Sequence, residues 1–131
     1  MSLTFIQKGF IAAAIMNIGG VLTFSRAFTN TTLMETDPVV MSWFGLLMIM
    51  VWGLAYLGAA FSTGNIRWLA GAFAVEKLVY VAVWLKWLSA HSLSAVYSQD
   101  LFAGIFYSIY GLNDAAFMLF FAWVLLRDKS E

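Results

Sequence analysis

The sequence predicts an all-α polytopic membrane protein: one four-transmembrane-helix bundle with short loops, spanning residues 1–131 as a single domain. Three observations carry this prediction. Of the 131 residues, 63% are hydrophobic and 11% charged, against roughly 45–50% and 25% in soluble domains. The apolar residues fall in four long runs, each near the roughly 20 helical residues that cross bilayer hydrocarbon. The segments between them are short and rich in turn and cap residues. The runs are continuous rather than alternating, which favours helices over barrel strands. A helix also satisfies its own backbone hydrogen bonds in lipid.

The first span is read at 6–25, with Lys8 near its start. The run is longer than a leader's apolar region and lacks a convincing small-x-small cleavage site, so it is expected to be retained. The second is read at 39–61, opened by Asp37-Pro38 and closed by Ser62-Thr63-Gly64-Asn65. Pro38 would sit in the first turn, where its missing N–H is harmless. The third is read at 68–88, followed by a small, polar connection from 89 to 100 that should face solvent or the interface. The fourth is read at 101–126, with Asp100 as its N-cap. Trp43, Trp68, Trp84, Trp87 and Trp123 fall toward span ends, as an aromatic belt requires, while Trp52 is mid-span. Lys8, Arg67, Arg127 and Lys129 share one side, and Arg26 and Lys86 the other. That bias places both termini in the cytoplasm, in a bacterial inner membrane or its equivalent.

Composition also narrows function. Seven basic and seven acidic residues give zero formal charge, so there is no basic footprint for nucleic acid. Without cysteine there is no disulfide, thiolate nucleophile or Cys-ligated metal, and one histidine argues against a multi-His site. No phosphate-binding loop, nucleophile elbow or His-Glu-x-x-His is present. No cofactor and no metal are expected. His91 reads as a solvated loop residue, and the scattered methionines as adaptable packing.

Most of the charges lie outside the spans, and Lys8 and Lys86 are close enough to span ends to snorkel. Glu76, Lys77 and Asp114 instead share one depth, halfway across, with Asn113 alongside and Asn17 near the centre of the first span. Each ionised group there costs about 2.5–3.5 kcal/mol on insertion scales. Lys77 is therefore expected to pair with Asp114. Glu76 lies about 100° further round the helix and is expected to be a neutral or proton-exchanging acid. Tyr80, Tyr107 and Tyr110 share faces with the two acids and offer hydroxyls. Aromatic walls with a few convergent polar groups are the usual form of a small-molecule site.

The leading expectation is a protein that binds or carries a small hydrophobic or amphipathic molecule, with possible proton linkage, at a midplane site between the third and fourth spans. The first alternative is an accessory or structural membrane subunit whose polar cluster only fixes the bundle. The second is an enzyme acting on a lipid-soluble substrate, with Glu76 and Asp114 as acid and base. Expected partners are membrane lipid, an amphipathic ligand, and a second copy or another membrane protein; nucleic acid is not among them. Gly104, Ser108, Gly111 and Ala115 form a small-residue row, and Ala55/Ala59 and Ala70/Ala74 repeat the spacing. Such rows serve packing within a chain or a homodimer seam. In length and span number the chain is similar to the small four-helix drug/proton antiporters. Those need a membrane-embedded Glu in the first helix, where this chain has Asn17 and no acid, so the likeness is one of architecture. Four-helix sterol-isomerase-like proteins also use acids inside the bundle, but no local motif of theirs is present.

Overall fold

The computed structural model describes residues 2–127. It is helical throughout, with α1 at Phe5–Phe24, α2 at Thr31–Thr36, α3 at Trp43–Ala60, α4 at Arg67–Ala90, α5 at Leu93–Gln99 and α6 at Leu101–Leu126. The four helices α1, α3, α4 and α6 are long and apolar enough to cross a membrane. They pack as a bundle, as the sequence predicts.

Two local differences have clear causes. The second span begins at Trp43 rather than at 39, so Pro38 lies outside it. Met41 N donates to the Asp37 carbonyl at 2.8 Å, closing a turn over 37–41. Ser42 then caps the helix, its hydroxyl accepting from Gly45 N at 3.1 Å, and serine is a far better N-cap than the apolar residues before it. The Val40 carbonyl presses onto Gly45 so closely that any Cβ there would overlap it. The second difference is α5, inside the connection from 89 to 100. Ser92 caps it, and Leu93, Val96 and Tyr97 fall on one helical face. Val96 is buried, and the Tyr97 ring covers Gly104 of α6.

The long helices alternate in direction. Gln7 Nε2 donates to the Ala60 carbonyl at 3.0 Å, joining the start of α1 to the end of α3. Arg67 Nε donates to the Leu125 carbonyl at 2.9 Å, joining the start of α4 to the end of α6. The close backbone pairings are α4 with α6 and α1 with α3, while α1 meets α6 chiefly through aromatic side chains near its two ends. The bundle is thus two antiparallel pairs laid together. Lipid offers helices little hydrophobic drive to associate, so close packing and hydrogen bonds must hold them. Glycine provides the closeness. The Trp84 indole lies against Gly111, and Leu125 sits over Gly71. In the other pair, a Cβ at Gly53 would stand 2.8 Å from Ile18 Cγ1.

Two apolar clusters flank mid-depth. Phe10, Tyr56, Phe73 and Phe121 interlock at the end nearer the termini, with Tyr56 and Phe73 centroids 4.8 Å apart. Trp52 packs edge-on to Phe73 at 6.1 Å. Trp84, Trp87, Phe106, Tyr107 and Tyr110 fill the opposite end. Trp84 and Trp87 are therefore buried, donating to the Tyr107 carbonyl at 2.7 Å and the Thr36 carbonyl at 3.3 Å. Trp43, Trp68 and Trp123 are exposed.

After α1 the backbone turns left-handed over three successive non-glycine residues, Arg26 (φ 50°), Ala27 (φ 56°) and Phe28 (φ 68°). Each such residue costs about 1–2 kcal/mol. Ser25 and Asn30 hold the turn. Phe28 N donates to Ser25 Oγ at 2.9 Å, and Asn30 Nδ2 donates to the Phe24 carbonyl at 3.0 Å and to Asp100 Oδ2 at 2.8 Å. Arg26 pairs with Asp100 Oδ1 at 2.8 Å. The strained turn is thereby fastened to the first residues of α6.

Candidate functional site

The mid-depth charges meet where the two helix pairs face each other. Lys77 on α4 is 1% exposed. Its Nζ donates to Asp114 Oδ1 on α6 at 2.7 Å and to Asn17 Oδ1 on α1 at 2.9 Å. It also lies 5.2 Å from the centroid of the Tyr56 ring on α3. One ammonium thus touches all three other spans. Asn17 is oriented by its own amide, which donates to the Ile49 carbonyl at 2.9 Å. Gly53 permits this approach, since a Cβ there would come within 3.1 Å of Asn17 Cβ.

Glu76, one residue earlier, is turned toward α3. The Tyr56 hydroxyl donates to its Oε1. Its Oε2 is buried and has no partner among the described residues. Asp114 receives a second, long contact from Asn113 Nδ2 at 3.4 Å, also on Oδ1. Asp114 Oδ2 receives no hydrogen bond among the described residues. The Tyr110 hydroxyl is likewise buried with no partner among the described residues.

A cavity of about 60 Å³ reaches this polar layer between α1 and α6, with Ile49 of α3 behind it. Asn17, Tyr110, Asn113 and Asp114 form its polar part. Gly20, Val21 and Phe24 continue it along α1, and Phe106 and Ile109 along α6. Met16 and Ile109 on its rim are 44% and 38% exposed. The crevice therefore opens sideways, between spans, at mid-depth. Phe24 closes its far end by packing on Phe102 and Phe106 at 6.0 and 6.1 Å. The space lies between α1 and α6 rather than between α4 and α6, because Trp84 on Gly111 and Leu125 on Gly71 fill the latter interface.

The structure thus brings together Asn17, Lys77, Asn113, Asp114 and Tyr110, with Glu76 on the α3 side of the same layer. Tyr80 is half-buried one turn along α4 from Glu76. Tyr107 stands apart. It stacks on Trp87 at 4.7 Å and donates to the Leu33 carbonyl at 2.8 Å. The tyrosine that reaches an acid is Tyr56, which sequence reasoning did not single out. The available signal was a hydroxyl one turn beyond the centre of an otherwise apolar span.

Outside the spans, a second cavity of about 350 Å³ lies among α2, α5 and the end of α4. His91 borders it, stacked on Trp87 at 4.9 Å with Nδ1 3.1 Å from the Trp87 carbonyl. Among the described residues no three His, Cys, Asp or Glu side chains gather to hold a metal. Burial works against charge on Asp100, but donors from Arg26, Ala103 N and Asn30 outweigh it and hold the carboxyl below its usual range.

No family model, curated protein or solved structure matches the chain.

Proposed function

We propose that the protein binds or carries a small hydrophobic or amphipathic molecule taken from within the bilayer. One observation carries the reading: a buried polar layer is reached by a crevice that opens sideways between α1 and α6. A solute in water has no direct route to such an opening, whereas a molecule dissolved among acyl chains does. Lys8, Arg67 and Arg127 at one end of the bundle, against Arg26 and Lys86 at the other, support cytoplasmic termini; Lys129 lies outside the described residues. In that orientation the crevice runs from mid-depth into the outer leaflet. The layer holds two carboxyls and one ammonium, so a neutral Glu76 would balance it, and proton exchange there would link binding to pH.

The test is thermal unfolding of the purified protein against a panel of amphiphiles. A ligand at 100 times its Kd should stabilise by about 2.7 kcal/mol. Gly20→Leu should abolish the shift, since a Cβ at Gly20 meets nothing within 4 Å and the larger side chain would fill the crevice without a clash at its base. A second reading, an accessory subunit, has its own support: Asn17 and Lys77 are satisfied within the chain and tie the two helix pairs together. A panel without effect, together with one stoichiometric membrane-protein partner on mild extraction, would favour it.

A further inference from the structure

Resting on that reading, we infer that the occupant is a long-chain amphiphile with a small, uncharged, hydroxyl-bearing head. The head lies at Asp114 and Tyr110, and the tail lies along the α1/α6 groove.

Size sets the first limit. The whole crevice measures about 60 Å³, so a bulky phosphodiester or sugar head has no room beside Asp114 and Tyr110, and most of a long tail must run out past Met16 and Ile109 among the acyl chains. Charge sets the second. Lys77 already neutralises Asp114 at 2.7 Å. An anionic head would face the Asp114 carboxylate that lines the crevice, where low dielectric magnifies repulsion, and a cationic head would have to compete with the buried Lys77 for a carboxylate that is already paired. Hydrogen bonding sets the third. Among the described residues, Asp114 Oδ2 lacks a donor and the buried Tyr110 hydroxyl has no partner. A carboxylate only accepts, while a phenol can donate. A hydroxyl answers both at once, donating to the carboxylate and accepting from the phenol, whereas a ketone or ester has no donor for the carboxylate. The groove suits a tail: Gly20 leaves a trough in α1, and Met16 and Ile109 form apolar, adaptable lips.

The experiment uses the full chain in phosphatidylcholine nanodiscs with three sixteen-carbon probes, each carrying a photoreactive diazirine in the tail. Their heads are a hydroxyl, a carboxylate and a trimethylammonium. The alcohol should label the α1 and α6 segments of the crevice at least tenfold more than the other two, and unlabelled hexadecanol should compete. Tyr110→Phe should reduce labelling roughly fivefold, the loss of about one net hydrogen bond. Gly20→Leu should abolish labelling while the thermal unfolding profile is retained. Asp114→Asn would strip Lys77 of its counter-ion, so these two variants carry the test. Stronger crevice labelling by the acid or the ammonium overturns the head-group assignment and leaves the binding reading standing. Labelling that no probe gives, or that Gly20→Leu does not change, overturns both.

Discussion

Replacing Lys77 with methionine keeps an unbranched apolar stem while deleting the ammonium that joins α4 to α6 and to α1. The variant loses the 2.7 Å contact to Asp114 and the 2.9 Å contact to Asn17. Breaking a buried ion pair by removing one partner costs about 3–5 kcal/mol, because the other charge is left uncompensated. The contact to Asn17 adds less, since hydrogen bonds between membrane helices average about 0.6 kcal/mol. The expected loss is therefore about 3–5 kcal/mol, and it should weaken both the α4/α6 pair and its docking on α1/α3. The double variant Lys77→Met/Asp114→Leu should recover most of it, because apolar replacement of a whole buried pair is often neutral or stabilising. Unfolding in bicelles, followed by tryptophan fluorescence, measures both. A single variant within about 1 kcal/mol of the wild type would refute the assigned role of the ion pair. A double variant as unstable as the single would place the cost in packing instead.

Three further outcomes are expected. Tyr56→Phe leaves both Glu76 oxygens without a donor among the described residues and should cost about 1–3 kcal/mol; unchanged unfolding would remove Tyr56 from the layer's hydrogen bonding. Ala27→Gly relieves one left-handed residue, worth about 1–2 kcal/mol against about 0.5–1 kcal/mol of glycine entropy. A net gain of about 0.5–1 kcal/mol in the same assay is expected, and a loss would show that the turn is not strained. Asp100 is held below the usual carboxylate range, so its contribution is complete above its unfolded pKa of about 3.9 and fades as pH falls through the lower native value. Because Arg26 is 46% exposed, the slope is worth under about 1 kcal/mol, and an unfolding series from pH 6 downward should find it absent in Asp100→Asn.

The four spans are legible because hydrocarbon thickness imposes a length that few other constraints produce. The Lys77–Asp114 pair is legible for a related reason: span centres give depth, and two opposite charges at one depth have strong cause to meet. Depth gives no rotation or pairing, however. Which tyrosine reaches Glu76 depends on how α3 turns toward α4, so Tyr56 is hidden while Tyr107 reads as a neighbour it is not. The crevice is hidden for the same reason, since its place is decided by Trp84 settling onto Gly111 and filling the α4/α6 interface. The helix α5 is too short and polar to announce itself as a span, although the Ser92 cap and the Leu93, Val96, Tyr97 face are present. Nothing at 26–28 signals a left-handed turn, because its support comes from Ser25, Asn30 and the distant Asp100.

The central claim, that the crevice holds a small lipid-soluble molecule, is tested most directly by native mass spectrometry of the gently extracted protein. The prediction is one small amphiphile per chain on the wild type and none on Gly20→Leu, with both proteins folded. An unliganded chain accompanied by a stoichiometric membrane-protein partner, identical in both proteins, would contradict it.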